Sequence, residues 1–228
     1  MSKVIVSWSG GKDSCLACYQ AMRLGYTVSY LLNTISQEYK RVRFHGIKDT
    51  LVQAQSHALG IPLLQRETTA EGYEQEFKDT INHVIPEGIE GVVFGDIYMN
   101  MREWADNICG DLGVQAIEPL CGRNSEEILL DFIDLGFEAI VIATQANILG
   151  EEWIGRKLDK GFLEDIRRYK PIDVCGENGE YHTLVTDGPL FRQRIKICES
   201  EKLLRDGYWF LDIRKYQLFQ KVASPASV

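Results

Sequence analysis

Two short stretches of this sequence combine residue types that could do chemistry. The first, Ser9-Gly10-Gly11-Lys12-Asp13-Ser14, follows directly on the apolar run Val4-Ile5-Val6-Ser7-Trp8, the pattern of a strand entering a turn and then a helix. Two glycines permit a sharp turn that brings consecutive N–H groups to one anion, and a helix over residues 13–24 directs its positive end at the same point. Lys12 would neutralise phosphate charge there, and Ser9 and Ser14 would donate hydroxyl hydrogen bonds. The segment therefore reads as a pyrophosphate-binding turn at the tip of a first strand. It is not a Gly-x-x-x-x-Gly-Lys-Ser/Thr loop, because Lys12 is followed by Asp13, and a dinucleotide-type Gly-x-Gly-x-x-Gly is absent.

The second stretch is Cys175-Gly176-Glu177-Asn178-Gly179-Glu180-Tyr181-His182-Thr183. Gly176, Glu177, Glu180, His182 and Thr183 crowd glycine, carboxylate, imidazole and hydroxyl into one loop with no obvious core role. Such a set suits a cation, an amine or an ammonium ion beside an activated carbonyl. The following Asp187-Gly188-Pro189 reads as a plain turn.

These groups need elements to position them. A β-rich run over residues 26–34 ends in Asn33 and Thr34, a helix spans 47–59 and closes at Gly60, and a short strand covers 61–65. An amphipathic helix over 71–85, a buried strand over 91–96 ending in Gly95-Asp96, a helix over 100–112 and a strand over 115–118 complete an alternating series. Alternation of this kind predicts an α/β fold with a parallel sheet and helices on both faces. Ligands in such sheets sit beyond the carboxyl ends of the strands, at the switch in strand order. Asn33, Thr34, Gly95 and Asp96 are expected there beside the phosphate turn; Gly95 would admit a nucleotide close to the backbone, and Asp96, with Asp13, would hold Mg²⁺ or accept a proton. His45, just before a helix, is a candidate for an anion contact or a catalytic role.

Beyond Pro119 the character changes. A helix over 125–135 capped by Asn124 or Ser125, a strand over 139–144, a helix over 161–169 and β-rich runs at 181–186, 193–199 and 208–216 predict a smaller α+β domain. The expected division is residues 1–120 for nucleotide, 121–223 for the substrate side, and 224–228 as a loose tail.

With 228 residues, 45% of them hydrophobic, the chain can bury an ordinary core. A net charge of −8 disfavours nucleic acid as a partner, and the sequence shows neither a signal peptide nor a membrane span, so a cytoplasmic protein is expected. Six scattered cysteines are expected to be reduced. Cys15 and Cys18 form a C-x-x-C pair that would serve either sulfur transfer or core packing, since both fall on one helix face.

The turn at residues 9–14 resembles the PP-loop, Ser-Gly-Gly-x-Asp-Ser, of the ATP pyrophosphatases, which implies adenylation of an oxygen with release of pyrophosphate. The ordered set of this loop, Arg43-Phe44-His45-Gly46-Ile47, Phe94-Gly95-Asp96-Ile97, Glu118-Pro119-Leu120 with Gly122-Arg123, residues 176–183, and Asp187-Gly188-Pro189-Leu190-Phe191 is similar to the diphthine–ammonia ligase family over roughly residues 3–195. That resemblance implies a PP-loop nucleotide domain with a small C-terminal domain, ATP and Mg²⁺ as cofactors, and Glu118 and His45 on the substrate side. It also implies a reaction in which ATP adenylates the carboxylate of diphthine on translation elongation factor 2 and ammonia displaces AMP. The chain departs from the family at Cys121, where a Trp is usual, and residues 98–109 look more like the bacterial members, for which the resemblance implies a different acceptor. A tRNA-thiolating PP-loop enzyme using Cys15 or Cys18, and a non-catalytic nucleotide-binding module, are the two other readings of the same loop.

Overall fold

The computed structural model describes residues 1–38, 41–42 and 46–221. His45, with Arg43 and Phe44, and the tail at 224–228 lie outside the described residues. The first half alternates as expected: β1 (Lys3–Ser7), α1 (Lys12–Arg23), β2 (Thr27–Ser36), α2 (Asp49–Leu59), β3 (Leu63–Thr68), α3 (Tyr73–Val84), β4 (Ile89–Val93), α4 (Arg102–Leu112) and β5 (Gln115–Ile117). These strands form one parallel sheet in the order β3-β2-β1-β4-β5. Right-handed crossovers run outward from β1 through β2 to β3, then return to the other side of β1 for β4 and β5. Constant handedness with reversed direction places α1 and α2 on one face and α3 and α4 on the other. Alternation along β1 follows suit: Val4 and Val6 pack with α1 and α2, while Ile5 packs with Phe77, Ile81 and Ile108 from α3 and α4.

The second half contributes α5 (Ser125–Asp134), β6 (Glu138–Gln145), α6 (Lys160–Ile166), β7 (Tyr181–Asp187), β8 (Gln193–Arg205) and β9 (Tyr208–Gln220). Its sheet is antiparallel, in the order β7-β6-β9-β8. Asn124 caps α5 as expected, its side-chain oxygen accepting from the N–H groups of Glu126 (2.9 Å) and Glu127 (3.2 Å). The β8–β9 hairpin is much longer than the two short runs read from the sequence. Its tip is Asp206-Gly207, both at positive φ (50° and 79°), the turn that matches the twist of paired strands. Exposed, charged residues carry the pairing outward beyond the part that covers the core.

A single hydrophobic cluster joins the two halves, running from Val6 and Leu16 through Val52 and Ala58 to Leu184, Val185, Ile195 and Ile213. Helices α1 and α2 are thus sandwiched between the two sheets. Direct backbone bonds stitch the layers: Arg192 N–H donates to the Ala58 carbonyl at 2.7 Å, and Val185 N–H donates to the Gly10 carbonyl at 3.0 Å. This packing brings β7 onto the turn at residues 9–14.

Candidate active site

The switch in strand order falls between β1 and β4, and the turn after β1 sits there. Gly11 forms the N-terminal boundary of α1 with no side-chain cap, which leaves the positive end of a twelve-residue helix facing outward. The turn is braced from within. Ser9 and Ser14 hydroxyls are 3.1 Å apart, Gly11 N–H donates to Ser9 Oγ at 3.3 Å, and Ser14 Oγ–H donates to the Gly11 carbonyl at 3.2 Å. Lys12 N–H donates to Thr183 Oγ1 at 3.0 Å, so a β7 hydroxyl supports the first turn of α1.

A cleft of about 860 Å³ opens over this turn. Of the residues singled out from the sequence, Ser9, Lys12, Asp13, Ser14, Asn33, Thr34, Gly95, Asp96, Gly176, Glu177, His182 and Thr183 line it. Two segments more than 160 positions apart therefore meet at one cavity. Gly10 and Gly11 lie in the floor of the turn. Asn33 braces the neighbouring strand ends, donating to the Trp8 carbonyl at 2.7 Å and accepting from Gln65 Nε2 at 3.1 Å.

Three expectations change in detail. Gly95 lacks a side chain because α1 leaves no room for one: a Cβ there would stand 2.7 Å from Ser14 N and 2.8 Å from the Asp13 carbonyl carbon. Glu180 is buried and does not line the cleft; its carboxylate accepts from Asp173 N–H (3.0 Å), Asn178 N–H (3.0 Å) and Asn178 Nδ2 (3.1 Å), which holds the loop closed on itself. Glu118 stands apart beyond β5, 3.7 Å from Arg102 Nε, with its Oε1 buried and without a hydrogen-bond partner. Burial and the nearby Asp106 raise its pKa. Beside it, the Cys121 thiol lies 3.4 Å from Met99 Sδ.

The electrostatics centre on Lys12, whose side chain is almost fully buried. Its ammonium donates to Asp13 Oδ2 at 2.9 Å and to the Cys175 carbonyl. Burial works to lower its pKa, but neighbouring anions, Asp13 foremost, outweigh this and hold it charged, well above the usual lysine range. Asp13 keeps a raised pKa because burial outweighs the help of Lys12, and its Oδ1 is buried with no hydrogen-bond partner. Asp96 is raised by burial and by Asp13. Glu177 is pushed up to about 8, by burial and then by Asp13, against the opposing pull of Lys12 and a long hydrogen bond (3.4 Å) from Ile97 N–H. Burial, with the Lys12 charge, lowers His182 to about 4, so its imidazole is neutral near pH 7.

Cys15 and Cys18 are fully buried in the core, and burial pushes both thiols up, Cys18 to about 12. Neither offers an accessible thiolate, which removes the basis for sulfur transfer from this pair. The residue that sequence reasoning missed is Gln55. It is fully buried on α2, accepts from Trp8 Nε1 at 3.0 Å, and donates to the carbonyls of Gly10 (2.9 Å) and Val185 (2.8 Å). A signal was present: Gln55 sits four positions after Leu51, on the apolar stripe of its helix.

Comparison with known proteins decides the family. The diphthamide synthase N-terminal domain model matches residues 2–116, and the diphthamide synthase C-terminal domain model matches residues 124–219. The chain belongs to the diphthamide synthase family. Curated relatives named diphthine–ammonia ligase include those of Bos taurus (28% identical over 218 residues, 85% of this chain and 82% of that one) and Mus musculus (28% over 246 residues, 95% and 92%). The relative from Schizosaccharomyces pombe is also 28% identical, but the match covers only 36% of its length. A crystal structure described as a predicted subunit of tRNA methyltransferase from Methanocaldococcus jannaschii aligns with a TM-score of 0.46 at 16% identity, over 83% of this chain and 98% of that one. As a member of this family the chain is an enzyme. Among the described residues, no helix is long and apolar enough to cross a membrane.

Proposed function

We propose that this enzyme is an ATP-dependent, AMP-forming amide ligase, with diphthine on translation elongation factor 2, or a related carboxylate, as acceptor and ammonia as nitrogen donor. The observation that carries the reading is the meeting of the 9–14 turn and Glu177 in one cleft. Ser9, Lys12 and Ser14, at the uncapped N-terminal end of α1, receive the β- and γ-phosphates, while Asn33 and Thr34 stand at the neighbouring strand end. The acceptor carboxylate attacks the α-phosphorus and pyrophosphate leaves, giving an acyl adenylate. Ammonia then attacks the acyl carbon, a proton is lost, and AMP departs. Glu177, His182 and Gly176 line the cleft beside the turn, where the acceptor and the amine would be oriented. Glu180 acts one step removed, by holding that loop. Positioning and charge neutralisation of this kind supply at most roughly 7–11 kcal/mol of barrier reduction.

Mg²⁺ fits the same cleft. Asp13 Oδ1 is buried with free lone pairs, and Asp96 beside it carries a raised pKa that a cation would reverse. No cluster of three metal-ligating side chains exists among the described residues, which suits an ion held by one or two carboxylates and substrate phosphates. When bound there, Mg²⁺ would neutralise phosphate charge.

The test is incubation with ATP, Mg²⁺, ammonium and elongation factor 2 carrying diphthine. AMP and pyrophosphate in equal amounts, together with the amide on the protein, support the reading. Release of ADP and phosphate, or retention of ATP without turnover, overturns it. Turnover with another carboxylate substrate and none with this acceptor would assign a different acceptor to the same chemistry.

A further inference from the structure

The Gly10 carbonyl is held by two donors from different parts of the molecule. Gln55 Nε2 reaches it from α2 at 2.9 Å, and Val185 N–H reaches it from β7 at 3.0 Å. Both lone pairs of this carbonyl are thereby engaged inside the protein. This matters because a carbonyl and an N–H alternate along any turn. If the Gly10 peptide rotated, its oxygen would face the anion that the turn is proposed to hold, and repel it. Gly10 adopts φ +84°, a conformation open to glycine, and a glycine peptide flips readily without a restraint.

Gln55 is shaped for the task. Its side chain is fully buried, and all three of its contacts are satisfied by distinct partners. The Trp8 indole N–H occupies Oε1 at 3.0 Å, which fixes the amide with its NH₂ toward Gly10 and Val185. The same Oε1 fills the space beside Gly10, since a Cβ built there would stand 2.6 Å from it. One amide group therefore ties together the tip of β1, helix α2, the phosphate turn and β7.

We infer that Gln55 is a positioning residue for phosphate binding, which locks the Gly10 peptide with its carbonyl inward and makes the turn's anion-receiving shape depend on the docked second sheet. The inference rests on the nucleotide reading above, and it assigns to Gln55 no contact with the reacting atoms. Its direct consequence is selective. Removing the amide should weaken ligands that use the turn and spare those that do not.

Gln55→Met keeps the volume and the packing but removes both donors. Binding of ATP, pyrophosphate and adenosine is measured by calorimetry on the full chain, at a temperature where the variant is folded by circular dichroism. The dissociation constants of pyrophosphate and ATP are expected to rise by about tenfold or more, and that of adenosine to stay within about twofold. Unchanged pyrophosphate affinity in the folded variant, or an equal loss for all three ligands, overturns the inference. Should Gln55→Met fail to fold, Gln55→Leu, which likewise lacks both donors, is the second variant, and the same selective pattern is required of it. A wild-type protein that binds neither ATP nor pyrophosphate would instead refute the nucleotide reading, whatever Gln55 does.

Discussion

Substituting Gly95→Ala tests whether the close approach of β4's exit to α1 is what shapes the phosphate site. The added Cβ would meet Ser14 N at 2.7 Å, the Asp13 carbonyl carbon at 2.8 Å and Ser14 Cα at 3.0 Å. All three are backbone atoms of the first helical turn, so no flexible side chain can move aside. The first two contacts fall short of ordinary van der Waals separation by roughly 0.6 Å, and the helix end must shift by about that much. Overpacking of this size costs about 1–3 kcal/mol, which for a chain of this length lowers Tm by roughly 3–10 °C. Because the displaced atoms belong to the helix end that the proposed function gives to phosphate, ATP affinity should fall on the order of tenfold as well. Gly110→Ala is the control: its Cβ meets nothing within 4 Å on exposed α4, so Tm should hold or rise slightly with ATP binding unchanged. Thermal unfolding and ATP titration of both variants suffice. A Gly95→Ala protein with wild-type Tm and wild-type ATP affinity would refute the packing argument.

Glu177→Gln should flatten the pH dependence of stability on the alkaline side. Because the folded pKa is raised to about 8, the proton on Glu177 favours the fold fully below the unfolded value near 4.5, and that contribution is lost as pH rises through 8. Wild-type Tm should therefore fall more steeply than that of the variant between roughly pH 5 and pH 9, and parallel profiles would count against the burial of this carboxyl. Thr183→Val leaves the buried Lys12 N–H without its acceptor and should cost about 1–3 kcal/mol in denaturant unfolding, whereas Thr183→Ser should recover most of it. Replacing Cys15 and Cys18 together by Ala should lower Tm through lost packing while leaving ATP-dependent amide formation intact; loss of turnover in the folded double variant would restore a chemical role for the pair.

Much of the fold was legible because local pattern and global order agree. The alternation of apolar runs and helical spacing gave the five parallel strands within a few residues at each end, since the central strands β1 and β4 are buried on both faces and each helix on one. The hairpin was read too short. Its outer half, from Glu199 to Arg205, is mostly charged or polar, has Leu203 and Leu204 side by side instead of alternating, and buries little, so burial pattern carried no signal there, although Asp206-Gly207 was a turn cue in plain view. Among site residues, Ser9, Lys12, Asp13 and Ser14 line the cleft, because their arrangement is set by neighbours in sequence. Glu180 was indistinguishable from Glu177 by type and spacing. Only the folded loop turns one inward, to Asp173 and Asn178, and leaves the other at the cavity.

By itself, then, the sequence determined a strand-turn-helix, the parallel sheet that places it at a switch point, and the family. These depend on glycine stereochemistry, on periodicity and on ordered motifs, all of which are local or linear. Tertiary structure decided what the turn rests on. Lys12 N–H on Thr183, the Lys12 ammonium on the Cys175 carbonyl, and the Gly10 carbonyl between Gln55 and Val185 join residues 45 to 175 positions apart. Hydrogen bonds act over about 3 Å in space regardless of distance along the chain, and only the packing of the second sheet against α1 and α2 brings those partners within reach.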